Sequence, residues 1–413
     1  MEQRDIVIAG GGMVGVSLAL QLAERLPAGL QITLVEGFAL PGPGSAAQYH
    51  PSFDARSTAL SYSSQKIYQA MGVWDELEHW LCPIERIHVS SRGRFGSTVM
   101  QASDYGWPSL GHVVENAWLG NALLQALHRQ GRVELISPAR VTDLKPLAQG
   151  VELQLEGAEH ECFTAQLLVV ADGADSSLRE SLGVAVDSKS YGQSAVVCNV
   201  AFAESHQNCA FERFTADGPL ALLPLLSARQ GEHRSTLIWS LPPERAEHLA
   251  ACDEEEFLSA LQTTFGYRLG RMRQVGKRHC YPLVLLQSCE QLRQGVVVMG
   301  NAAHTLHPVA GQGFNLALRD VAQLAEALAS APDKAPLGAL SVLQAYQQRQ
   351  QQDQWLTIGA SDALPELFMR SDPVFGLLRD LALSGLDVLS PLKREFVRYA
   401  AGLAALGGSR LER

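Results

Sequence analysis

Three apolar runs recur along the chain, and each has the same sequel. Residues 5–9 (DIVIA), 167–170 (LLVV) and 296–299 (VVVM) are largely hydrophobic stretches of strand length that run into a glycine-bearing turn. Continuous rather than alternating apolarity predicts strands buried on both faces, as in a parallel sheet covered by helices. Helices are predicted where that cover is needed, because residues 16–23 after the first turn and 316–328 after the third are rich in Ala and Leu. Residues 32–35 (ITLV) predict a further strand that ends at Glu36, and 133–136 another.

Between 183 and 277 the pattern changes. Strand-like runs at 195–202, 210–214, 220–225 and 235–240 alternate with polar turns, which predicts an antiparallel sheet. A shorter strand-like run lies at 87–90, and 254–265 reads as an amphipathic helix. Beyond 331 the chain turns helical, with Pro332 and Pro336 at the joint and Pro365, Pro373 and Pro391 dividing the tail into short helices. The expected fold is mixed α/β and discontinuous. A nucleotide-binding domain is assembled from 1–75, 101–182 and 278–330, a second domain from 76–100 and 183–277, and a helical region follows at 331–413.

The turns carry the candidate chemistry. Gly10-Gly11-Gly12-Met13-Val14-Gly15 matches G-x-G-x-x-G between a strand and a helix, with Glu36 closing the next strand. That layout binds dinucleotides. Gly10 makes the tight turn, Gly12 admits the pyrophosphate, Gly15 lets helix and strand pack, and Glu36 meets the ribose hydroxyls. The second turn, Asp172-Gly173-Ala174-Asp175-Ser176-Ser177-Leu178-Arg179, taken alone reads equally well as an ordinary Asp-Gly turn. The third runs from Gly300-Asn301 through His304, His307-Pro308 and Gly311-Gln312-Gly313 to Asn315. Its Gly311 and Gly313 let a flat ligand approach the backbone, and the helix start after it offers free N–H groups.

Composition narrows the class. The chain has 413 residues, 46% hydrophobic and 18% charged, with a net charge of −10 and no long Lys/Arg run. Such a surface repels a phosphate backbone and argues against nucleic acid. Seven scattered cysteines without a C-x-x-C pair fit reduced thiols in a cytoplasm. No His/Asp/Glu set has metal-ligand spacing, no Gly-x-Ser-x-Gly elbow is present, and no apolar run is long enough to span a bilayer.

The three turns, in this order, resemble the fingerprints of the single-component flavin-dependent aromatic hydroxylases, the para-hydroxybenzoate hydroxylase family. Asp172, Gly173, Ser176 and Arg179 fit its central D-G-x-x-S-x-x-R, and Gly300 to Asn315 its flavin loop. Asn301 stands where most members carry Asp. Within the family, His307-Pro308-Val309-Ala310-Gly311-Gln312-Gly313-Phe314-Asn315 and Asp320 are similar to the hydroxylases of ubiquinone biosynthesis, with Ala317 replacing a usual Gly. Asn301, with Phe211-Glu212-Arg213-Phe214 and Gly218-Pro219-Leu220-Ala221, points to those acting on 2-polyprenyl-6-methoxyphenol.

The resemblance implies a Rossmann-like FAD-binding domain with the antiparallel sheet as substrate domain. It implies FAD as cofactor, NAD(P)H as co-substrate without a fold of its own, and O2 and a lipid-tailed phenol as the remaining reactants. The product would be the 1,4-benzoquinol, with O2 activated at flavin C4a. Flavin contacts fall on Gly10, Gly12, Gly15, Glu36, Arg56, Asn116, Asp172, Gly173, Arg179, Gly300, Asn301, Gly311, Gly313 and Asn315. Arg56 also reads as a surface residue paired with Asp54. The amides of Gln312 and Gly313 suit negative charge on the flavin, and the Pro308 carbonyl would lie near the ring. His304 is a candidate for handling the phenol proton, although His304 and His307 equally fit local hydrogen bonding. Phe211, Phe214, Pro219, Leu220 and Leu222 would line the substrate pocket. The tail at 374–403 reads either as a helical cap or as a face for peripheral contact with the inner membrane or with other ubiquinone-biosynthesis proteins. A sister hydroxylase acting on another ring carbon, and a non-catalytic flavin-bound scaffold, are the competing readings.

Overall fold

The computed structural model describes residues 2–45, 56–93, 97–158, 162–227, 231–332, 335–369, 397–398 and 401–402. The chain opens with β1 (Glu2–Ala9), α1 (Met13–Arg25), β2 (Ile32–Val35), β3 (Ser57–Ser61), α2 (Tyr62–Ala70), α3 (Trp74–Leu77), β4 (Cys82–Ile84), β5 (Arg86–Ser91) and β6 (Ser97–Gln101). It continues through β7 (Gly111–Glu115), α4 (Asn116–Gln130), β8 (Val133–Ile136), β9 (Arg140–Pro146), β10 (Val151–Glu156), β11 (Cys162–Val170), α5 (Ser177–Ser181), β12 (Val186–Phe202), β13 (Cys209–Phe214), β14 (Pro219–Leu225) and β15 (His233–Leu241). Then come α6 (Pro243–Ala251), α7 (Glu254–Phe265), β16 (Met272–Val275), β17 (His279–Ser288), β18 (Leu292–Arg293), β19 (Val296–Val298), β20 (His304–Thr305), α8 (Gln312–Ala329) and α9 (Leu340–Met369).

The first sheet has the order β18-β19-β11-β1-β2-β8, with β10 and β9 appended to β11. Its central pairs, β19 with β11, β11 with β1, β1 with β2 and β2 with β8, are all parallel. Ile6, Ile8, Leu167, Val169 and Val297 point into a core shared with α1, α4 and α8. Their neighbours Val7, Ala9, Leu168, Val170, Val296 and Val298 point the other way, toward α5 and the β9–β10 hairpin. Apolar residues at consecutive positions are what a sheet covered on both faces requires.

The second sheet runs β20-β17-β12-β15-β14-β13-β5-β6, with β16 on β12. It is antiparallel except between β13 and β5, which are parallel because β5 arrives from the earlier insertion. Helices α6 and α7 cover one face around Trp239 and Phe257. Helix α7 starts where Asp253 accepts a hydrogen bond from the Glu256 N–H at 2.8 Å. The opposite face meets the small sheet β3-β7-β4. A polar seam fixes this contact: Thr236 Oγ1 donates to Ser57 Oγ at 2.7 Å, Asn199 Nδ2 to Glu115 Oε1 at 3.2 Å, and Arg234 pairs with Glu115 at 2.9 Å.

The tail departs from expectation at one point. Helix α9 continues through Pro365 to Met369 rather than stopping there. A proline removes one backbone donor, and the rest of a 30-residue helix carries it. Pro373, Pro391 and most of 374–403 lie outside the described residues; of that segment only 397, 398, 401 and 402 are described. No described helix is long and apolar enough to cross a membrane.

Candidate active site

Strands β1, β11 and β19 are neighbours, so the three turns at their C-terminal ends lie side by side, where ligands bind on open α/β sheets. Their packing is tight. Gly10 has φ +113°, and a Cβ there would sit 2.3 Å from the Ala171 carbonyl oxygen. A Cβ on Gly15 would meet the Gly10 carbonyl at 1.9 Å. Gly300, at φ +62°, lies against Val14 in the first turn of α1. The guanidinium of Arg179 donates to the Ala302 carbonyl at 2.9 Å. The second turn therefore holds the third, and Arg179 (4% exposed) acts through that loop. Asn301 sits exposed on the short turn Gly300–Ala302.

The space before these turns fits a dinucleotide. Gly12, the extended N-cap of α1, and Gly313 in the first turn of α8 would meet nothing within 4 Å if given a Cβ. Protein packing does not demand glycine there, whereas close approach of a ligand does. The N–H groups of both helix starts lack intrahelical acceptors and favour anions. The Glu36 carboxylate is fixed by backbone: Oε2 accepts from Gly11 N at 2.6 Å and Oε1 from Phe38 N at 3.0 Å. Each oxygen keeps a lone-pair direction for a hydroxyl. Burial raises the Asp172 carboxyl above its ordinary range, opposed by the Ser176 hydroxyl, backbone N–H groups and Arg179. Gly173 beside it has φ +107° and borders open space. The guanidinium of Arg56 lies 4.9 Å from the Tyr281 ring centroid, and the Arg56 carbonyl accepts from Asn116 N at 2.8 Å. Asn116 Oδ1 accepts from Thr58 Oγ1 at 2.7 Å.

In the third turn, Pro308 takes a helical conformation (φ −68°, ψ −6°), and Gly311 at φ +59° caps α8, with Gln312 and Gly313 opening the helix. Asn315 is placed differently from a flavin contact. Its Oδ1 accepts from Ser61 N at 2.8 Å and Ser64 Oγ at 2.7 Å, while Nδ2 donates to Ala59 O at 2.8 Å and Gly311 O at 2.7 Å. Both donors and both lone pairs are used, so the side chain clips the flavin loop to β3 and α2.

The histidines are also sealed in. His304 Nε2 lies 2.7 Å from Asp320 Oδ2, with side chains 0% and 1% exposed, and Gln354 donates to the other Asp320 oxygen at 3.0 Å. His304, a candidate for the phenol proton, instead ties β20 to α8 and α9. His307 accepts from Val309 N at 3.2 Å and meets the Tyr191 ring edge-on at 4.9 Å. Burial pushes its pKa down to about 4, against the opposing pull of Asp362, so it braces the turn as a neutral ring.

On the second sheet the structure divides the five candidates between two faces. Phe211, Leu220 and Leu222 belong to the core beneath α6 and α7. Phe211 packs edge-on against Phe265 at 5.5 Å. Phe214 and its cross-strand partner Pro219 lie on the opposite face, toward the nucleotide domain. Side chains alternate along a strand, so a one-residue offset transfers a residue to the other face. The register places Glu212 and Ala221 on that inner face, in one row with Ile238, Val197 and His279. The signal in the sequence was the lone acid inside an apolar strand, between Phe211 and Phe214.

Comparisons with known proteins agree with this geometry. A family model described as FAD binding domain matches residues 3–358. Ubiquinone hydroxylase UbiL of Rhodospirillum rubrum is 35% identical, covering 98% of this chain and 90% of its own. The 3-demethoxyubiquinol 3-hydroxylase of Escherichia coli is 32% identical over 97% of this chain and 99% of its own. Among solved structures, p-nitrophenol 4-monooxygenase PnpA from Pseudomonas putida superposes with a TM-score of 0.77 at 19% identity, covering 98% of this chain and 99% of that one, which is a likeness of fold. The chain is a member of this FAD-binding family and a flavin-dependent monooxygenase of the group that contains the ubiquinone hydroxylases.

Proposed function

We propose that this protein hydroxylates the ring of a polyprenyl phenol in ubiquinone biosynthesis, converting 2-polyprenyl-6-methoxyphenol to the 1,4-benzoquinol with O2 and NAD(P)H. The observation that carries the reading is the apolar inner face of the substrate sheet, with Phe214, Pro219, Ala221, Leu223 and Ile238 opposite the nucleotide domain. A prenylated ring buries its tail against such a wall at about 25 cal/mol per Å² of apolar surface. The ubiquinone hydroxylases among the relatives support the substrate class.

FAD would lie along Gly10, Gly12, Gly15 and Glu36 and reach the turns at Asp172–Gly173 and Gly300–Gly313. When bound, it supplies the two-electron chemistry with O2. The protein's part is to place the ring, to hold negative charge with the Gln312 and Gly313 N–H groups, and to exclude water. Asp172, at the rim of the cradle, is assigned to positioning the flavin and the nicotinamide during hydride transfer.

The E. coli relative, a 3-hydroxylase by name, favours as second reading attack at another ring carbon. Both are tested by giving the purified holoenzyme NADPH or NADH, isotopically labelled O2 and 2-polyprenyl-6-methoxyphenol. One labelled oxygen para to the hydroxyl supports the first reading. Label at another carbon supports the second, and coenzyme oxidation that leaves the ring unlabelled refutes both.

A further inference from the structure

Removing the phenolic proton makes the ring a better nucleophile, and neither histidine of the third turn is placed to take it. His304 and His307 are sealed in the turn behind the flavin loop. Glu212 is placed differently. It lies on β13 with its side chain on the inner face, flanked across the sheet by Val89 of β5 and Ala221 of β14. The apolar groups Ala210, Leu223 and Val113 continue this surface. Glu212 makes no hydrogen bond or ion pair with any described residue, although Phe211 and Phe214 beside it are both buried. Its side chain is half-buried and retains accessible surface. An unpartnered carboxyl that deep, yet still accessible, borders the space between sheet and nucleotide domain.

We propose that Glu212 is the general base that takes the phenolic proton of the substrate. This rests on the proposed phenol hydroxylation. The O–H bond breaks and its proton moves to a carboxylate oxygen of Glu212. The electron pair left on the phenolic oxygen enters the ring as the para carbon forms its bond to one atom of O2; the O–O bond breaks, the second oxygen leaves as water, and the para C–H proton is lost to solvent as the ring rearomatises. O2 is the oxidant, and the nicotinamide co-substrate supplies the electrons. The proton leaves to water after product release. Burial alone pushes the Glu212 carboxyl up to about 7, close to the working range of a general base. No neighbour cancels this. Arg234 and Glu115 neutralise each other in the seam, and Arg56 stacks on Tyr281 of β17. His279 lies at the far end of the row, His112 of β7 is pushed down to about 4 by burial, and Arg398 stands beside Val397 in the described tail.

The test compares wild type, Glu212→Gln and Glu212→Asp as FAD-loaded proteins. Two probes are bound without turnover: a short-tailed 2-prenyl-6-methoxyphenol and its O-methyl ether, which has no proton to give. In the wild type the preference for phenol over ether should rise about tenfold between about pH 6 and pH 8, as the carboxylate forms and accepts a charge-assisted hydrogen bond. In Glu212→Gln it should be flat, and in Glu212→Asp restored in part. In turnover, Glu212→Gln should lose the acid limb of kcat/KM and about a hundredfold or more in kcat, with FAD content retained and the unfolding midpoint not lowered. A Gln variant that keeps the wild-type pH dependence in both assays overturns the assignment. A wild type that binds neither probe overturns both the assignment and the phenol reading, whereas turnover of the phenol with an unaffected Gln variant overturns the assignment alone.

Discussion

Asn315→Ala separates a structural clip from a cofactor contact. The native amide makes four hydrogen bonds of 2.7–2.8 Å, to Ser61 N, Ser64 Oγ, Ala59 O and Gly311 O, and is 1% exposed. Truncation strands these partners in a buried setting. At about 1 kcal/mol net for each bond, the loss is about 4 kcal/mol, a large fraction of the roughly 5–15 kcal/mol that holds a typical domain folded. The loss should appear in the FAD-free protein, because every partner belongs to the chain. Urea unfolding of the stripped protein should show a lower midpoint at unchanged slope. Asn315→Asp should cost at least as much, since a carboxylate turns lone pairs toward the carbonyls of Ala59 and Gly311. A stripped Ala variant within about 1 kcal/mol of wild type, paired with a collapse of FAD affinity, would refute the clip and restore Asn315 as a flavin ligand.

The two outer glycine roles should separate in the same way. Gly12→Ala enters open space, so the stripped protein should melt like wild type while FAD binding weakens by about tenfold or more; Gly15→Ala drives a Cβ to 1.9 Å from the Gly10 carbonyl and should lower the melting temperature with or without FAD. Glu212 should make stability fall with rising pH: its folded pKa of about 7 exceeds the ordinary 4.5, so stability is fully present below the unfolded pKa and is lost as pH rises through the folded one. Thermal melts should show Glu212→Gln matching wild type near pH 4 and exceeding it near pH 8, by at most about 3 kcal/mol because the side chain keeps some solvent contact; equal melts at both pH values would contradict the raised pKa.

Much of the nucleotide-binding half was legible because its signals are local. A doubly buried strand must be apolar at every position, as at Leu167–Val170, and a turn that brings two backbones to contact distance must be glycine, as at Gly10 and Gly15. Contacts between distant segments left no such trace. Nothing in the spacing of Asn315 reveals that Ser61 and Ala59 lie under it, 254 and 256 positions away. His304 next to a glycine-rich loop looks like chemistry until Asp320, one helix later, accounts for its ring nitrogen.

The second sheet shows why proximity in sequence misleads most where both faces are buried. Phe211, Leu220 and Leu222 pack beneath α6 and α7, whereas the equally apolar Leu223 and Leu225 face the other way, so side-chain hydrophobicity alone does not tell the two faces apart. On the proposed reading the inner face admits a substrate, so its own side chains cannot fill it to crystal-like density. It carries Ala221, Pro219 and Phe214 beside Leu223 and Ile238, and leaves the Glu212 carboxyl without a hydrogen bond to any described residue. On the proposed reading, the acidic residue of Phe-Glu-Arg-Phe marks the pocket more directly than the phenylalanines around it.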